Sequence, residues 1–491
     1  MLRAVSNPAS PWPAAARNEV PLAAGWWIAL CAYFGAHVVL RVALGDGLEL
    51  DEAEQVLWTQ QLALGYGTQP PLYTWLQWAV FQLLGVSVTS LALLKNGLLS
   101  LTYVFTFLAG RTLMPASLAA LASASMLLIP QIGWESQRDL THSVVCTTAA
   151  AATLWLVLAL RQRPTPVRYL ALGLAVGLGV LAKYSYAVFA AALLLALLCA
   201  PDTRTLLATR WTVAALTLAL LVVLPHGVWL ATHLDQATQG TLAKMGAQAR
   251  LPWPQGVVRG LGSGALAVLS FLTPLWLVLV ALFVRRGAAA AAPPPGAGCG
   301  LLRRYLAALA LLLLALVLAG AATQFKDRWM QPLLFLAPLA FFGCAPQLAV
   351  HPRLRLLRRL LAGWALLVLA LIALRAPLDG WRDTPDELNL PARALAQALR
   401  EAGFDGAAIV SDDRHLAGVL RLQFPRAHVH VVGRDAGEPP AAALWIARGD
   451  SLAAVEAALG RPAGTVRTLA LPPALAPSGA TPLRFVYGLV R

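Results

Sequence analysis

Apolar runs of roughly 20 residues, the length a helix needs to cross a bilayer, recur along most of this chain. Short polar stretches separate them. Candidate spans fall near 22–44, 91–112, 115–133, 142–160, 168–182, 186–200, 211–231, 264–284, 305–322, 332–350 and 359–375. That makes about 11 crossings. The polar breaks RQRPTPVR and PDTRTLLATR are both strongly basic. Basic loops stay in the cytoplasm, so an even number of crossings must lie between these two. Residues 168–200 therefore read as two short helices that turn at Lys183, Tyr184 and Ser185. The same asymmetry runs through the chain. With the N-terminus inside, Arg111, Arg161, Arg285, Arg286, Arg353 and Arg358 fall on the cytoplasmic side, and the outer loops hold few basic residues.

From about residue 378 the period changes. Charged residues return and the apolar runs shorten to strand length. AAIVSDD, AHVHVVG, ALWIARG, TVRTLAL and LRFVYGLV read as strands. PARALAQALREAG, RHLAGVLRLQF and SLAAVEAALG read as helices. The alternation predicts a small α/β domain of roughly 110 residues. An odd number of crossings puts it outside. The expected division is a transmembrane part over 1–377, with a first outer loop at 45–90, and a soluble periplasmic domain over 378–491. Residues 287–300, rich in Ala, Pro and Gly, read as a mobile linker.

Composition agrees with this pattern. Hydrophobic residues make up 58%, charged residues 12%, and the mean hydropathy is +0.66. Soluble chains carry about twice that charge. The fold class is an α-helical polytopic membrane protein with a C-terminal α/β extracytoplasmic domain, in a bacterial inner membrane. The N-terminal stretch makes a poor signal peptide, because the apolar run that starts near Leu22 is long enough to span. A net charge of +15 invites a nucleic-acid reading, but the basic residues sit mainly in short inter-helix loops, so nucleic acid is excluded as a partner and membrane lipids are expected instead. Cys31, Cys146, Cys199, Cys299 and Cys344 lack metal-like spacing. They are expected to pack rather than to ligate or to form disulfides.

The candidate chemistry is on the outer side. An ionisable side chain in a membrane segment costs about 2.5–3.5 kcal/mol on insertion scales, so each one is a functional candidate. Asp51, Glu52 and Glu54 follow the first span. Lys95 lies at the outer end of the second. Glu135, Arg138, Asp139 and His142 join the third to the fourth. Lys183 and Tyr184 join the fifth to the sixth, and Lys326, Asp327 and Arg328 the ninth to the tenth. The plainer readings are structural. Asp51 suits a helix N-cap, with Glu54 closing a capping box. Residues 135–142 suit a solvated loop with i,i+3 pairs. Lys183 suits snorkelling, and the FKDRW run an interfacial anchor. His226 and His233 read as interfacial rather than as metal ligands, and Trp75 and Trp78 as part of a helix lying on the membrane. Adjacent residues on a helix point about 100° apart, so Asp51 and Glu52 would take different tasks. No P-loop, no GxGxxG between strand and helix, no HExxH and no nucleophile elbow are present.

The run DEAEQVLWTQQLALGYGTQPPLYTWL resembles the first outer loop of bacterial glycosyltransferase family 39, relatives of the dolichyl-phosphate-mannose protein mannosyltransferases and of the lipid A aminoarabinose transferases. GLGVLAKYSYAVF and FKDRWMQPLLFLAP are similar to the same family, as is the plan of many spans followed by an outer domain. The resemblance covers most of 22–375, and it is most specific in the first loop. It implies the GT-C membrane fold and a polyprenyl-phosphate-linked sugar donor. It implies that Asp51 matches the family's acidic-motif aspartate, the usual candidate for catalytic base or acceptor activator, and Glu52 its acidic neighbour. Glu54 stands where the aminoarabinose transferases carry a basic residue, and Thr68 and Gln69 replace charged residues before the Pro-Pro pair. Both departures argue against aminoarabinose as the sugar.

Asp51 and Glu52 are the expected catalytic residues: Asp51 accepts a proton from an acceptor hydroxyl, and Glu52 orients a neighbour. Cations steady the leaving lipid phosphate. Lys183, Lys326 and Arg328 are favoured for this, ahead of Lys95 and Arg138. Asp139, His142 and Tyr184 complete the expected substrate-binding set. No dedicated metal ligands are apparent, although carboxylates and a lipid phosphate can share a divalent ion. The acceptor is expected to be an envelope lipid, glycan or protein. A lipid or sugar flippase is the alternative; it should show internal repeats and midplane breaks, and neither is visible.

Overall fold

The computed structural model describes residues 20–238, 251–283, 297–433, 440, 442–460, 462–477 and 479–490. Among these, 7 helices are long and apolar enough to cross a membrane, or up to 9 if two bent pairs each count as one span. The chain enters through α1 (Val20–Ala43). Two short helices follow in the outer loop, α2 (Leu50–Trp58) and α3 (Leu72–Leu84), and α4 (Val88–Arg111) returns through the bundle. Later long helices are His142–Gln162, Arg210–Thr232, Trp253–Phe283, Ala297–Leu318 and Leu354–Trp381.

The expected span count exceeds the number of unbroken helices, and proline explains part of the difference. Ala116–Leu128 and Gln131–Arg138 are bent by 81° about a break that holds Pro130, and Tyr186–Leu198 meets Pro201–Leu207 at 118°. Proline lacks the N–H that would continue the helical ladder. Pro166–Ala182 is a shorter apolar helix. The expected span at 332–350 is three short pieces, Gln331–Leu334, Ala337–Gly343 and Pro346–Val350, with prolines at 332, 338 and 346. The turn expected at Lys183 is present, since one helix stops at Ala182 and the next starts at Tyr186.

His142–Gln162 is the axis of the bundle. Its most apolar window is 83% buried, against 17% for Arg210–Thr232 and for Leu354–Trp381, which face outward. The run Ala149, Ala150 and Ala151 lets neighbouring backbones come close. Gly173 does the same for Pro166–Ala182, since a Cβ there would lie 2.2 Å from the Ala215 carbonyl oxygen.

One expectation fails here. Cys299 and Cys344 form a disulfide with a Cα–Cα distance of 5.0 Å. Their separation of 45 residues gave no sign of it, because the contact depends on how the start of Ala297–Leu318 packs beside the end of Ala337–Gly343. The 287–300 stretch lies mostly outside the described residues, and its last four residues open that helix.

The C-terminal unit forms a five-stranded sheet in the order β2-β1-β3-β5-β4. The strands are β1 (Ala408–Ser411), β2 (His428–Val431), β3 (Ala443–Arg448), β4 (Val466–Leu471) and β5 (Leu483–Val490). β1 runs parallel to β2 and β3, and β5 runs antiparallel to β3 and β4. All five strands and three helices match the sequence expectation. The helix before this unit continues to Trp381, past the expected boundary at 377. The unit does not stand apart. Leu395, Leu399, Leu416 and Leu420 share one hydrophobic core with Ala53 and Val56 of α2, Phe81 of α3 and Leu91 of α4. Gly418 lies so close to α2 that a Cβ would sit 2.6 Å from the Ala53 carbonyl oxygen.

Candidate active site

The site is built on α2. Glu49 caps this helix, and Glu52 accepts the Glu49 backbone N–H at 3.1 Å. The expected box of Asp51 and Glu54 is therefore displaced by two residues, to Glu49 and Glu52. The helix starts at Leu50, which frees the Asp51 side chain from capping. Two carboxylates in the first turn suit the positive end of the helix dipole.

Glu52 points inward and is 1% exposed. Arg41, at the end of α1, donates to it from Nη2 at 2.6 Å and from Nε at 3.2 Å, and Lys95 of α4 lies 3.5 Å away. Burial alone would raise this carboxyl. Arg41 and Lys95 outweigh it and hold the group down at about 2. Glu52 is thus a fixed anion that joins α1, α2 and α4. Glu49 is paired with Arg375 from the last long helix, and Arg375 also reaches Asp386 at 3.1 Å.

Asp51 points the other way and is half-buried. Its backbone N–H donates to Asp139 Oδ1 at 2.9 Å, and its Oδ2 accepts from the backbone and hydroxyl of Thr141, each at 3.2 Å. Burial, then the charges of Asp139 and Glu54, push the Asp51 carboxyl up to about 7. That is the range a general base needs at neutral pH. The separation of Asp51 from Glu52 follows from the ~100° step between adjacent helical residues.

The turn at 139–141 leads into His142–Gln162. His142 Nε2 meets Gln55 Nε2 at 3.2 Å, and Gln55 Oε1 accepts from Thr74 at 2.8 Å. Lys183 donates to Ser143 Oγ at 2.8 Å, which brings it to the same end of the bundle. Gln131 donates to Asp327 at 2.6 Å, and Gln331 to Ser136 at 2.9 Å, so the FKDRW segment is stitched to the segment that carries Asp139. Asp51, Glu52, Lys95, Asp139, His142 and Lys183 therefore converge.

Other expected residues sit further out. Arg138 faces Glu135 at 4.0 Å, and Lys326 is exposed. Arg328 is half-buried beside Asp327. Tyr184 lies 3.3 Å from His226 Nε2, whose Nδ1 meets the Leu64 carbonyl at 2.7 Å. Among the described residues, no group of three or more His, Cys, Asp or Glu side chains is gathered to hold a metal ion. Sequence reasoning missed Arg41, Gln55, Thr141 and Arg375. Arg41 had a signal, being a lone cation at the end of an apolar span.

A polytopic bundle with a helix-borne acid at one end, Lys95 and Lys183 brought to that same end and a sheet domain docked on it, has the architecture of a GT-C membrane glycosyltransferase. The family model for dolichyl-phosphate-mannose-protein mannosyltransferases matches residues 68–229. The chain is 35% identical to the lipopolysaccharide core galacturonosyltransferase RgtA of Rhizobium johnstonii, over 86% of this chain and 85% of that one. It is 36% identical to RgtB, described in the same words and from the same organism, over 81% of this chain and 80% of that one. In fold it is similar to ArnT from Cupriavidus metallidurans bound to undecaprenyl phosphate, with a TM-score of 0.56, 14% identity, and 94% of this chain and 98% of that one covered. The chain belongs to the GT-C glycosyltransferase family that includes these galacturonosyltransferases.

Proposed function

We propose that this transferase moves a galacturonosyl residue from a polyprenyl-phosphate donor to a hydroxyl of the lipopolysaccharide core, at the outer face of the inner membrane. The observation that carries the proposal is the setting of Asp51, whose carboxylate accepts from the backbone and hydroxyl of Thr141 and whose backbone N–H is held by Asp139. The sugar and acceptor follow from the names of relatives that match the chain over most of its length. The departures from the aminoarabinose pattern at Glu54, Thr68 and Gln69 argue against that sugar.

Asp51 takes the acceptor's hydroxyl proton as the acceptor oxygen bonds to the anomeric carbon. The bond from that carbon to the phosphate oxygen breaks, and polyprenyl phosphate leaves with the electron pair. Lys183, Lys95 and Arg328 supply the positive field that favours this departure. Asp139 fixes the helix start, and His142 and Tyr184 line the approach. Lys326 and Arg138, further out, steer the phosphate. We assign residues 1–377 to the transferase bundle and 378–491 to a periplasmic domain docked on it.

The test is an assay of purified protein with polyprenyl-phosphate galacturonic acid and lipopolysaccharide lacking core galacturonate. Labelled core product and free polyprenyl phosphate should appear in equal amounts. Donor consumption with no core product when this acceptor is present would sink the acceptor assignment.

A further inference from the structure

The C-terminal unit grips the helix that carries Asp51 at three places. At its start, His415 Nε2 meets the Leu48 carbonyl at 2.6 Å. One turn past Asp51, Arg414 forms an ion pair with Glu54. At the end of the helix, Arg421 donates to the Val56 carbonyl and to Thr59 Oγ1, the latter at 3.2 Å. Just beyond, Gln60 pairs with both backbone groups of Val429, at 2.8 and 3.1 Å. A helix's last carbonyls lack internal partners, and Arg421 supplies one while only 8% exposed. With Gly418 against Ala53, α2 cannot shift without moving the sheet domain.

We propose that the C-terminal unit is a working part of the transferase, with Arg414 as a positioning residue that holds Glu54 and thereby sets both the register and the charge environment of Asp51. This rests on the reading of Asp51 as the base. An interface that only added stability would need nothing beyond the apolar core already present. This one places a cation on the acid that lies one turn from Asp51, close enough for side chains at i and i+3 to interact.

The charged and titratable groups that face Asp51 come from every side. Asp139 stands at the turn before His142, Glu54 on its own helix, Lys95 on α4 and Tyr73 on α3. Asp139 and Glu54 push Asp51 upward, and Lys95 opposes them. Arg414 acts through Glu54 by offsetting part of its charge.

The experiment uses the full chain in lipid nanodiscs, with polyprenyl-phosphate galacturonic acid as donor. It compares wild type with Arg414→Gln, Arg414→Lys, Glu54→Gln and the Arg414→Gln/Glu54→Gln double variant. Two readouts are taken, the pH–rate profile and amide hydrogen exchange over 50–58. Arg414→Gln should move the acidic limb to higher pH by about one unit, a typical charge effect, and speed exchange across 50–58. Arg414→Lys should restore the limb. The double variant should return it to the wild-type position or below, because residue 54 then carries no charge. A limb that stays shifted in the double variant, or does not move in Arg414→Gln, overturns the proposal. If wild type does not turn the donor over, the functional reading falls, and hydrogen exchange still decides the grip: equal exchange in wild type and Arg414→Gln overturns it.

Discussion

Two neighbouring carboxylates acquire opposite chemistry because a helix turns them apart. Glu52 meets Arg41 and Lys95 and stays charged far below neutrality, whereas Asp51 meets Asp139 and Glu54 and is raised to about 7. Breaking one partner from a buried pair such as Glu52–Arg41 costs about 3–5 kcal/mol, so Glu52 belongs to the frame of the site. Asp51→Asn keeps the size and removes the proton acceptor. We expect normal insertion and a loss of turnover of ~100-fold or more. Because the raised group must lose its proton to act, wild-type activity should fall as pH drops through about 7. A pH–rate profile flat from 5 to 8, or near-normal turnover in Asp51→Asn, would remove Asp51 from the role. The acidic pair was legible in the sequence because carboxylates at the end of an apolar span are costly. The capping register was not, since Glu49, Asp51 and Glu52 all fit an N-terminus and only the contact with Arg41 selects one arrangement.

At the scale of elements, the site is assembled from breaks rather than from whole helices. The bend about Pro130, the turn at Lys183 and the short helical pieces after Asp327 all bring polar groups to one end of the bundle. Periodicity located the spans because apolar length is written locally. It could not show that the 332–350 run is broken into pieces, that Cys299 meets Cys344, or that Arg375 of the last helix reaches Glu49 in the first loop. Those depend on packing between distant segments. The cations at these breaks give a prediction of their own. Lys183→Ala and Arg328→Ala should each weaken binding of undecaprenyl phosphate to the purified protein by roughly tenfold, about 1.4 kcal/mol, and also slow turnover. Wild-type affinity in both variants would make them interfacial anchors and put the phosphate elsewhere.

Over the whole molecule, the outer loop, the bundle end and the sheet domain form one body around α2, joined by a continuous hydrophobic core and by Arg393–Asp46 at 2.5 Å. That arrangement requires the C-terminal unit to be on the same side of the membrane as Asp51. Charge asymmetry says which side this is. The ends of helices remote from Asp51 carry Arg161, Arg163, Arg168, Arg204, Arg210 and Arg353, and such loops are retained in the cytoplasm. The topology we propose therefore puts the sheet domain in the periplasm and the loop before Ala297–Leu318 on the cytoplasmic side. A reporter active only in the periplasm should therefore be active when fused after residue 491 and silent when inserted within 287–300. The reverse pattern would invert the topology. It would move Asp51, Lys183 and the docked domain together to the cytoplasmic face, because the contacts that join them leave no way to move one alone.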